Sequence, residues 1–232
     1  MSEISERLDA IRAQVKASAA VAGRSPSEIE LIAVSKNHPP EAIEEAFRCG
    51  QSVFGESRVQ EARIKVPILS SSIRWHFIGH LQKNKIRQAL PLFDLFHSVD
   101  SLALARQIDR IACELGLAPR VLLEVNVAGE ASKYGFSPDE VPRHLEELLS
   151  LDRLRIEGLM TIAPYSEDPE NSRRPFAQLR ELRDSLQDSA RTGLPSLSMG
   201  MSGDFLVAIE EGATMVRIGT SIFGARPRRK EE

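Results

Sequence analysis

The chain has 232 residues, with 30 basic and 33 acidic side chains and a formal net charge of −3. Hydrophobic residues make up 42% and charged residues 27%, a composition that excludes disordered, collagen-like and fibrous classes. The balanced charge argues against a nucleic-acid partner, because such proteins usually carry a basic excess. No stretch approaches the ~18 uncharged apolar residues of a membrane helix, and the first residues lack the apolar segment of a secretory signal. We therefore expect a cytoplasmic protein without a membrane partner.

The two cysteines, Cys49 and Cys113, are too few for a disulfide framework. Each falls late in an apolar helical pattern, which predicts a buried, reduced thiol. This usage is typical of a reducing compartment, in agreement with a cytoplasmic location.

Short apolar runs alternate with amphipathic stretches along the whole chain. The runs predict eight strands, at 31–34, 53–55, 75–78, 95–99, 121–127, 156–161, 197–199 and 215–218. Capping residues, prolines and glycines predict helices before the first strand and between successive strands, at 4–22, 39–49, 58–65, from 83, at 102–115, from 138, from 169 and at 203–211.

This alternation predicts a single (β/α)₈ TIM barrel with an extra N-terminal helix, because such barrels typically contain ~250 residues. The strands are continuously apolar, as expected for a sheet covered on both faces. We assign the barrel domain to residues 1–225 and interpret 226–232, where basic residues precede two glutamates, as a frayed tail. An open doubly wound sheet is the alternative fold.

Function in such a barrel collects at the C-terminal ends of the strands, and Lys36 follows the first strand. Burial of an ammonium group is costly unless it is paired, so a lysine there tends toward a lowered pKa or a covalent role. A neutral amine can form a Schiff base with an aldehyde. The alternative is an ion pair with a carboxylate such as Glu56.

The loops after the last two strands have the composition of a phosphate site. Ser202 and Gly203 open a helix, and Gly219 and Thr220 leave the last strand, where barrels commonly bind phosphate. The alternatives are a plain helix cap at Ser202 and a simple turn at Gly219. Arg217 lies within the last strand and can only donate hydrogen bonds, so it needs an acceptor, either a carboxylate or a ligand atom.

Other charged or metal-binding patterns are weak. His76 and His80 are four residues apart on a strand and its loop, so a shared metal-binding face does not follow, and we predict no metal. We interpret the basic cluster of Lys83, Lys85 and Arg87 as a solvated helix face, with a second ligand site as the alternative.

Seven segments carry a specific resemblance that covers essentially the whole chain, at 31–36, 54–56, 75–85, 132–136, 158–160, 197–202 and 215–224. On these segments the chain resembles the YggS/PROSC family of pyridoxal phosphate (PLP)-binding proteins, the PLP homeostasis proteins. The resemblance implies a fold similar to the barrel domain of alanine racemase.

The same resemblance implies the cofactor and its contacts. Lys36 would carry PLP as an internal aldimine, Met201 would lie beside the cofactor, and Arg217 would face the pyridine nitrogen. Three residues would hold the phosphate: Ser202, Gly219 and Thr220. His76 and Ser57 complete the predicted cofactor-binding set. Family members usually carry Asn where this chain has Ser57, whose hydroxyl is shorter than an amide.

These residues favour a protein that binds the cofactor without catalysing a reaction with it. Since Arg217 can only donate, the ring nitrogen must stay an acceptor, and the ring is then a weaker electron sink. By analogy, alanine racemase uses a second base from another domain, for which we expect no room in this chain. The two tyrosines of the present sequence, Tyr134 and Tyr165, both follow strands, and Tyr165 is the candidate for such a base.

We therefore expect a monomeric, non-catalytic protein that holds PLP and supplies it, with apo-forms of PLP-dependent enzymes as partners. The first alternative is a PLP-dependent amino-acid racemase of low activity. The second is an interaction protein with no ligand.

Overall fold

Eight parallel strands close into a barrel in a computed structural model that describes residues 2–130, 132–190 and 193–224. Within these ranges the strands are β1 Glu30–Val34, β2 Val53–Glu56, β3 Arg74–Phe77, β4 Leu95–Val99, β5 Arg120–Glu124, β6 Arg155–Met160, β7 Ser196–Ser198 and β8 Met215–Ile218. The predicted barrel is confirmed, and the open sheet is wrong, because β1 pairs with β2 on one side and with β8 on the other. The predicted tail, 226–232, lies outside the described residues.

Helices surround the barrel in the predicted order, followed by a short last helix that was not predicted. In the described ranges they are α1 Glu3–Val21, α2 Pro40–Arg48, α3 Val59–Lys65, α4 Ile86–Ala89, α5 Leu102–Leu115, α6 Glu140–Leu149, α7 Arg173–Ala190, α8 Phe205–Glu210 and α9 Thr220–Phe223. Short 3₁₀ turns occur at Pro26–Glu28, Val66–Ile68, Lys83–Lys85 and Pro169–Ser172. None of these helices combines the length and the apolar character needed to cross a bilayer.

The N-terminal helix takes part in the outer layer. α1 packs against α2, α8 and α9, so it covers the outside of the junction where β8 meets β1. Ser18 donates to the carbonyl of Leu206 at 2.9 Å, which ties α1 to α8. Just beyond α1, Arg24 donates to the carbonyls of Ile209 and Ala213 at 3.0 and 2.8 Å.

Most predicted strands agree with the structure to within one residue at each end, but β5 ends at Glu124, three residues early. Beyond Glu124 the chain pairs with the loop that follows it instead of continuing the strand. Val125 forms an isolated bridge with Phe136, whose N–H donates to the Glu124 carbonyl at 2.8 Å. The helix predicted from 138 begins at Glu140, because residues 137–139 form a turn in which the Ser137 N–H donates to the Glu140 carboxylate at 2.7 Å. Likewise, a 3₁₀ turn replaces the first residues of the helix predicted from 169.

Apolar packing divides into two layers. A large cluster fills the space between the strands and the helices. A second cluster of buried residues fills the barrel itself, one from each of six strands: Ile32, Val53, Leu95, Leu122, Met160 and Met215. Because side chains alternate along a strand, the residues two positions further along three of these strands are also directed inward, and they are polar: His97, Glu124 and Arg217. The barrel therefore changes from apolar to polar toward its C-terminal mouth.

Both cysteines are free thiols, but the predicted burial is wrong for Cys113, which is exposed, while Cys49 is half-buried. The inward face of α5 is taken by Ile108, Ile111 and Ala112, so the next residue along the helix turns toward solvent.

Candidate functional site

Lys36 occupies a tight turn at the C-terminal end of β1. The His38 N–H donates to the Ser35 carbonyl at 3.1 Å, which closes a turn over Lys36 and Asn37. Asn37 has a φ of 63°, in the left-handed region that asparagine tolerates better than most residues. Lys36 itself is half-buried, whereas Ser35 is fully buried. The sequence prediction that Lys36 lies at the barrel mouth agrees with this placement.

Glu56, at the end of β2, is the carboxylate that the sequence suggested as a partner for Lys36. It is fully buried and forms its ion pair with Lys65 of α3, with Oε1 2.7 Å from Nζ. The same Oε1 accepts from the Ser35 hydroxyl at 2.7 Å. Burial raises the pKa of Glu56, and the ammonium of Lys65 opposes that shift. The ion pair of Glu56 therefore lies beside the Lys36 turn and was not predicted.

The loop after β8 lies directly against the end of β1. A Cβ placed on Gly219 would be 3.3 Å from the side chain and the carbonyl of Val34. The ring of His38 stacks on Phe223 of α9, with centroids 4.9 Å apart. The structure thus brings the Lys36 turn together with Gly219 and Thr220, two of the residues predicted to hold phosphate.

The loop after β7 lies on the other side of β8. The Arg217 N–H donates to the Gly200 carbonyl at 3.0 Å, and the Met201 N–H donates to the Asp204 carboxylate at 2.7 Å. Asp204 is the residue that precedes α8, so the alternative reading of Ser202 as a plain helix cap is not what the structure shows. Met201 is 38% exposed and Ser202 is half-buried. Both side chains therefore lie on a loop next to Gly219.

Arg217 is buried in the barrel beneath these loops. Its guanidinium donates from Nη2 to the Thr161 carbonyl at 2.9 Å and from Nη1 to the Ser198 hydroxyl. In the described part of the chain, no carboxylate lies within 4.0 Å of it. Burial lowers the pKa of Arg217 to about 10, against the opposing effect of Glu124 and Asp204. The group therefore stays cationic at neutral pH, with only neutral oxygens as close partners.

A chain of hydrogen bonds continues from Arg217 through the barrel interior. The Ser198 hydroxyl lies 2.8 Å from His97 Nδ1, and His97 Nε2 lies 3.1 Å from His76 Nδ1. Arg217 occupies one lone pair of the Ser198 hydroxyl, which can still either donate to His97 or accept from it. The Glu30 carboxylate, 3.9 Å from His76 Nε2, favours an N–H on that nitrogen. His97 Nε2 then donates to His76 Nδ1, and the Ser198 hydroxyl donates to His97 Nδ1.

The two histidine rings in this series of hydrogen bonds, His76 and His97, are neutral at physiological pH. Burial lowers the pKa of His76 to about 3, with Arg74 and Arg120 adding to the effect. Burial also lowers the pKa of His97, and its neighbours His76 and Arg217 act in the same direction. His76 thus lies inside the barrel and connects with Arg217 through two intervening side chains; a direct role in binding a cofactor stays a prediction.

Ser57 follows β2 in a loop that is packed tightly against the next one. A Cβ placed on Gly79 would lie 2.3 Å from the Ser57 carbonyl oxygen, so only glycine permits this approach. Ser57 is half-buried and lines a cavity of 570 Å³ together with His80 and Lys85, among others. Ser57 and this cavity therefore lie on the β2–β3 side of the barrel mouth. A contact of Ser57 with a cofactor stays a prediction.

Glu124, at the end of β5, is a titratable group that the sequence analysis missed. Burial raises its pKa to about 7, with the Asp100 carboxylate adding to the shift and Arg217 opposing it. The signal was present in the sequence, because Glu124 ends a strand two residues after an interior leucine. Identifying it required the strand register, which places it on the inward side.

The two tyrosines occupy different surroundings. Tyr134 stacks on His80, with ring centroids 3.8 Å apart, and His80 Nδ1 lies 3.0 Å from Asp100 Oδ2. Tyr165 is 92% exposed in the loop after β6. Within the described ranges, no group of three or more His, Cys, Asp and Glu side chains could hold a metal ion.

The closed eight-stranded fold is the class of barrel found in alanine racemases, and the family model of the alanine racemase N-terminal domain matches residues 7–227. A solved alanine racemase of Clostridium difficile shows this likeness of fold, with a TM-score of 0.76 at 17% identity over all of this chain and 59% of that one.

Closer relatives identify the family within this class. The pyridoxal phosphate homeostasis protein of Aquifex aeolicus is 46% identical over 95% of this chain and 97% of its own length. The structure of PipY of Synechococcus elongatus PCC7942 with PLP bound matches with a TM-score of 0.84 at 43% identity, over 95% of this chain and 100% of that one. The chain therefore belongs to the family of pyridoxal phosphate homeostasis proteins.

Proposed function

We propose that this chain binds pyridoxal 5′-phosphate at the mouth of the barrel, covalently through Lys36, and that it holds and supplies the cofactor. The observation that carries the proposal is the buried guanidinium of Arg217, whose hydrogen-bond partners among the described residues are neutral oxygens. A buried cation that makes no direct contact with a carboxylate favours a ligand with an acceptor atom. PipY, a relative of 43% identity, has PLP bound.

The residues present fit this cofactor by their chemistry. PLP supplies an aldehyde and an electron-withdrawing ring when bound. The Lys36 amine, half-buried in its turn, would attach the aldehyde. The hydroxyls of Ser202 and Thr220 would bind the phosphate, with Gly219 allowing close approach of the backbone.

Arg217 would donate to the ring nitrogen, and this contact supports a carrier more than a catalyst. Since its pKa of about 10 keeps the guanidinium protonated, it cannot supply an acceptor for a protonated ring nitrogen. Neither tyrosine offers an obvious second base: Tyr165 is 92% exposed, and Tyr134 stacks on His80. His76 and Ser57 are further proposed contacts, the first acting through Arg217.

All the proposed contacts come from one chain, so the site needs no second subunit, and we infer a monomer. A reactive aldehyde held by one reversible covalent bond can be released, which suits delivery to apo-forms of PLP-dependent enzymes. Free thiols at Cys49 and Cys113 agree with a reducing, cytoplasmic setting.

The visible spectrum of the purified protein, recorded before and after borohydride, tests the attachment when combined with peptide mapping of the trapped adduct. We expect the adduct on Lys36, its loss in Lys36→Ala, and its retention in Lys16→Ala, which removes an exposed lysine of α1. An adduct elsewhere, or none, contradicts the proposal. Incubation of the loaded protein with each enantiomer of several amino acids, followed by chiral chromatography, tests the carrier role, since robust turnover would favour a racemase.

A further inference from the structure

The Lys36 turn is held by side chains from α3 and from the end of β2. Lys65 of α3 donates from Nζ to the Ser35 carbonyl at 3.0 Å, and Glu61 of α3 accepts the Asn37 N–H on Oε2 at 2.9 Å. One of these groups immediately precedes Lys36 and the other immediately follows it. Both peptide units that flank Lys36 are therefore fixed by charged side chains of a single helix.

The same side chains form one connected cluster. Nζ of Lys65 lies 2.7 Å from Oε1 of Glu56 and 3.2 Å from Oε2 of Glu61. Oε1 of Glu56 also accepts from the Ser35 hydroxyl at 2.7 Å. Lys65 is 6% exposed and Glu56 is fully buried, so these contacts are shielded from water.

Such a cluster is poorly explained by stability alone. Removing charges from water carries a large desolvation penalty, and buried ion pairs are often replaceable by apolar residues without loss of stability. Here one carboxylate oxygen, Oε2 of Glu56, is also buried without a hydrogen-bond partner among the described residues, which adds to the cost. The cluster also hydrogen-bonds the backbone on both sides of Lys36, which points to a role in positioning that residue.

We propose that Glu61 and Lys65 are positioning residues for Lys36, with Glu56 holding Lys65 in place. Lys65 holds the backbone carbonyl before Lys36, and Glu61 holds the backbone N–H after it. These two contacts fix the backbone at Lys36 and so set the direction in which its side chain projects. This inference rests on the proposed function in one respect only, namely that the positioned amine reacts with an aldehyde.

Glu61 provides the sharper test, because it is partly exposed and the variant should fold. In Glu61→Ala the acceptor for Asn37 is lost, and we expect borohydride trapping of PLP on Lys36 to slow by about 5- to 10-fold, the size typical for loss of one hydrogen bond. Glu61→Gln keeps an acceptor oxygen and should stay within about 2-fold of the wild type. Glu44→Ala is the matched control, since it breaks an i, i+4 pair with Arg48 on the exposed face of α2.

A second variant tests the buried pair. Glu56→Leu combined with Lys65→Met removes both charges and keeps the volume, and thermal unfolding establishes that it folds. We expect a folded protein with slowed trapping. A rate equal to that of the wild type in this variant, or in Glu61→Ala, would overturn the inference.

Failure of the proposed function is recognised separately. If the wild type forms no adduct with PLP on Lys36, that proposal fails, and competitive acetylation with peptide mapping still measures the positioning. The reactivity of Lys36 relative to the other lysines should then change in Glu61→Ala and return in Glu61→Gln. Unchanged relative reactivity would count against positioning.

Discussion

Nε2 of His97 lies 3.1 Å from Nδ1 of His76, and both rings are buried inside the barrel. This contact joins two neutral imidazoles, each already committed by a hydrogen bond or a nearby charge on its other side. Protonation of His76 on Nδ1 would place its N–H opposite the Nε2–H of His97, so the pair is a source of acid sensitivity.

We expect the stability of the protein to fall as the pH drops from 7 to 5. Burial lowers the pKa of His76 from 6.5 to about 3, so the unfolded chain binds a proton that the folded protein rejects. Stability is then fully present above pH 6.5 and is lost below it, by about 2 kcal/mol per such group at pH 5. Urea unfolding at pH 5, 6 and 7 measures the effect, and His76→Gln should reduce the loss. The same substitution at His144, on α6, is the matched control, and a pH dependence like that of the wild type in His76→Gln would contradict the assignment.

Glu124 predicts the opposite pH dependence. Its pKa is raised from 4.5 to about 7, so the folded protein binds a proton that the unfolded chain releases, and this contribution is lost as the pH rises from 4.5 through 7. Glutamine mimics the protonated form. Glu124→Gln should therefore stabilise the protein at pH 8 by roughly 2 kcal/mol, after allowance for partial exposure, and by much less at pH 5. Thermal or urea unfolding of this variant beside Glu146→Gln, an exposed carboxylate of α6, is the test; equal gains at both pH values would exclude the raised pKa.

Thr220→Ala should weaken retention of PLP by about 1–2 kcal/mol, because a hydroxyl bonded to an anionic phosphate is lost. Equilibrium dialysis of the loaded protein measures the change. Thr220→Ser keeps the hydroxyl and should bind nearly as the wild type does. Equal retention in all three proteins would remove Thr220 from the proposed phosphate site.

Gly158→Ala should destabilise the barrel by about 3 kcal/mol or more, since backbone rather than a flexible side chain has to move. A Cβ at Gly158 would lie 1.8 Å from the carbonyl oxygen of Ser196, on the neighbouring strand β7. Gly203→Ala is the control, because a Cβ there meets nothing within 4 Å. The difference in urea midpoint between the two variants checks the prediction, and similar midpoints would show that β6 and β7 can separate at little cost.

The barrel was predictable because its strands are apolar runs separated by strong turn and cap signals. Lys36 and Arg217 were identifiable for the same reason, as charged residues at the end of, or inside, such runs. Lys65 was not, because a lysine on an amphipathic helix is ordinarily solvated, and only the packing of α3 against the Lys36 turn makes it 6% exposed. Glu61 was missed for a related reason, since its acceptor role depends on the left-handed conformation of Asn37.

The hydrogen-bonded series from Arg217 to His76 starts at a group that only donates, which leaves the Ser198 hydroxyl with one proton and one lone pair to offer His97. The tautomers of both histidines are therefore set at the other end of the series, where the Glu30 carboxylate, 3.9 Å away, favours an N–H on His76 Nε2. Replacement of Glu30 would let both rings exchange tautomers without disturbing Arg217. A side chain at the N-terminal end of β1 thus governs where protons reside beneath the barrel mouth.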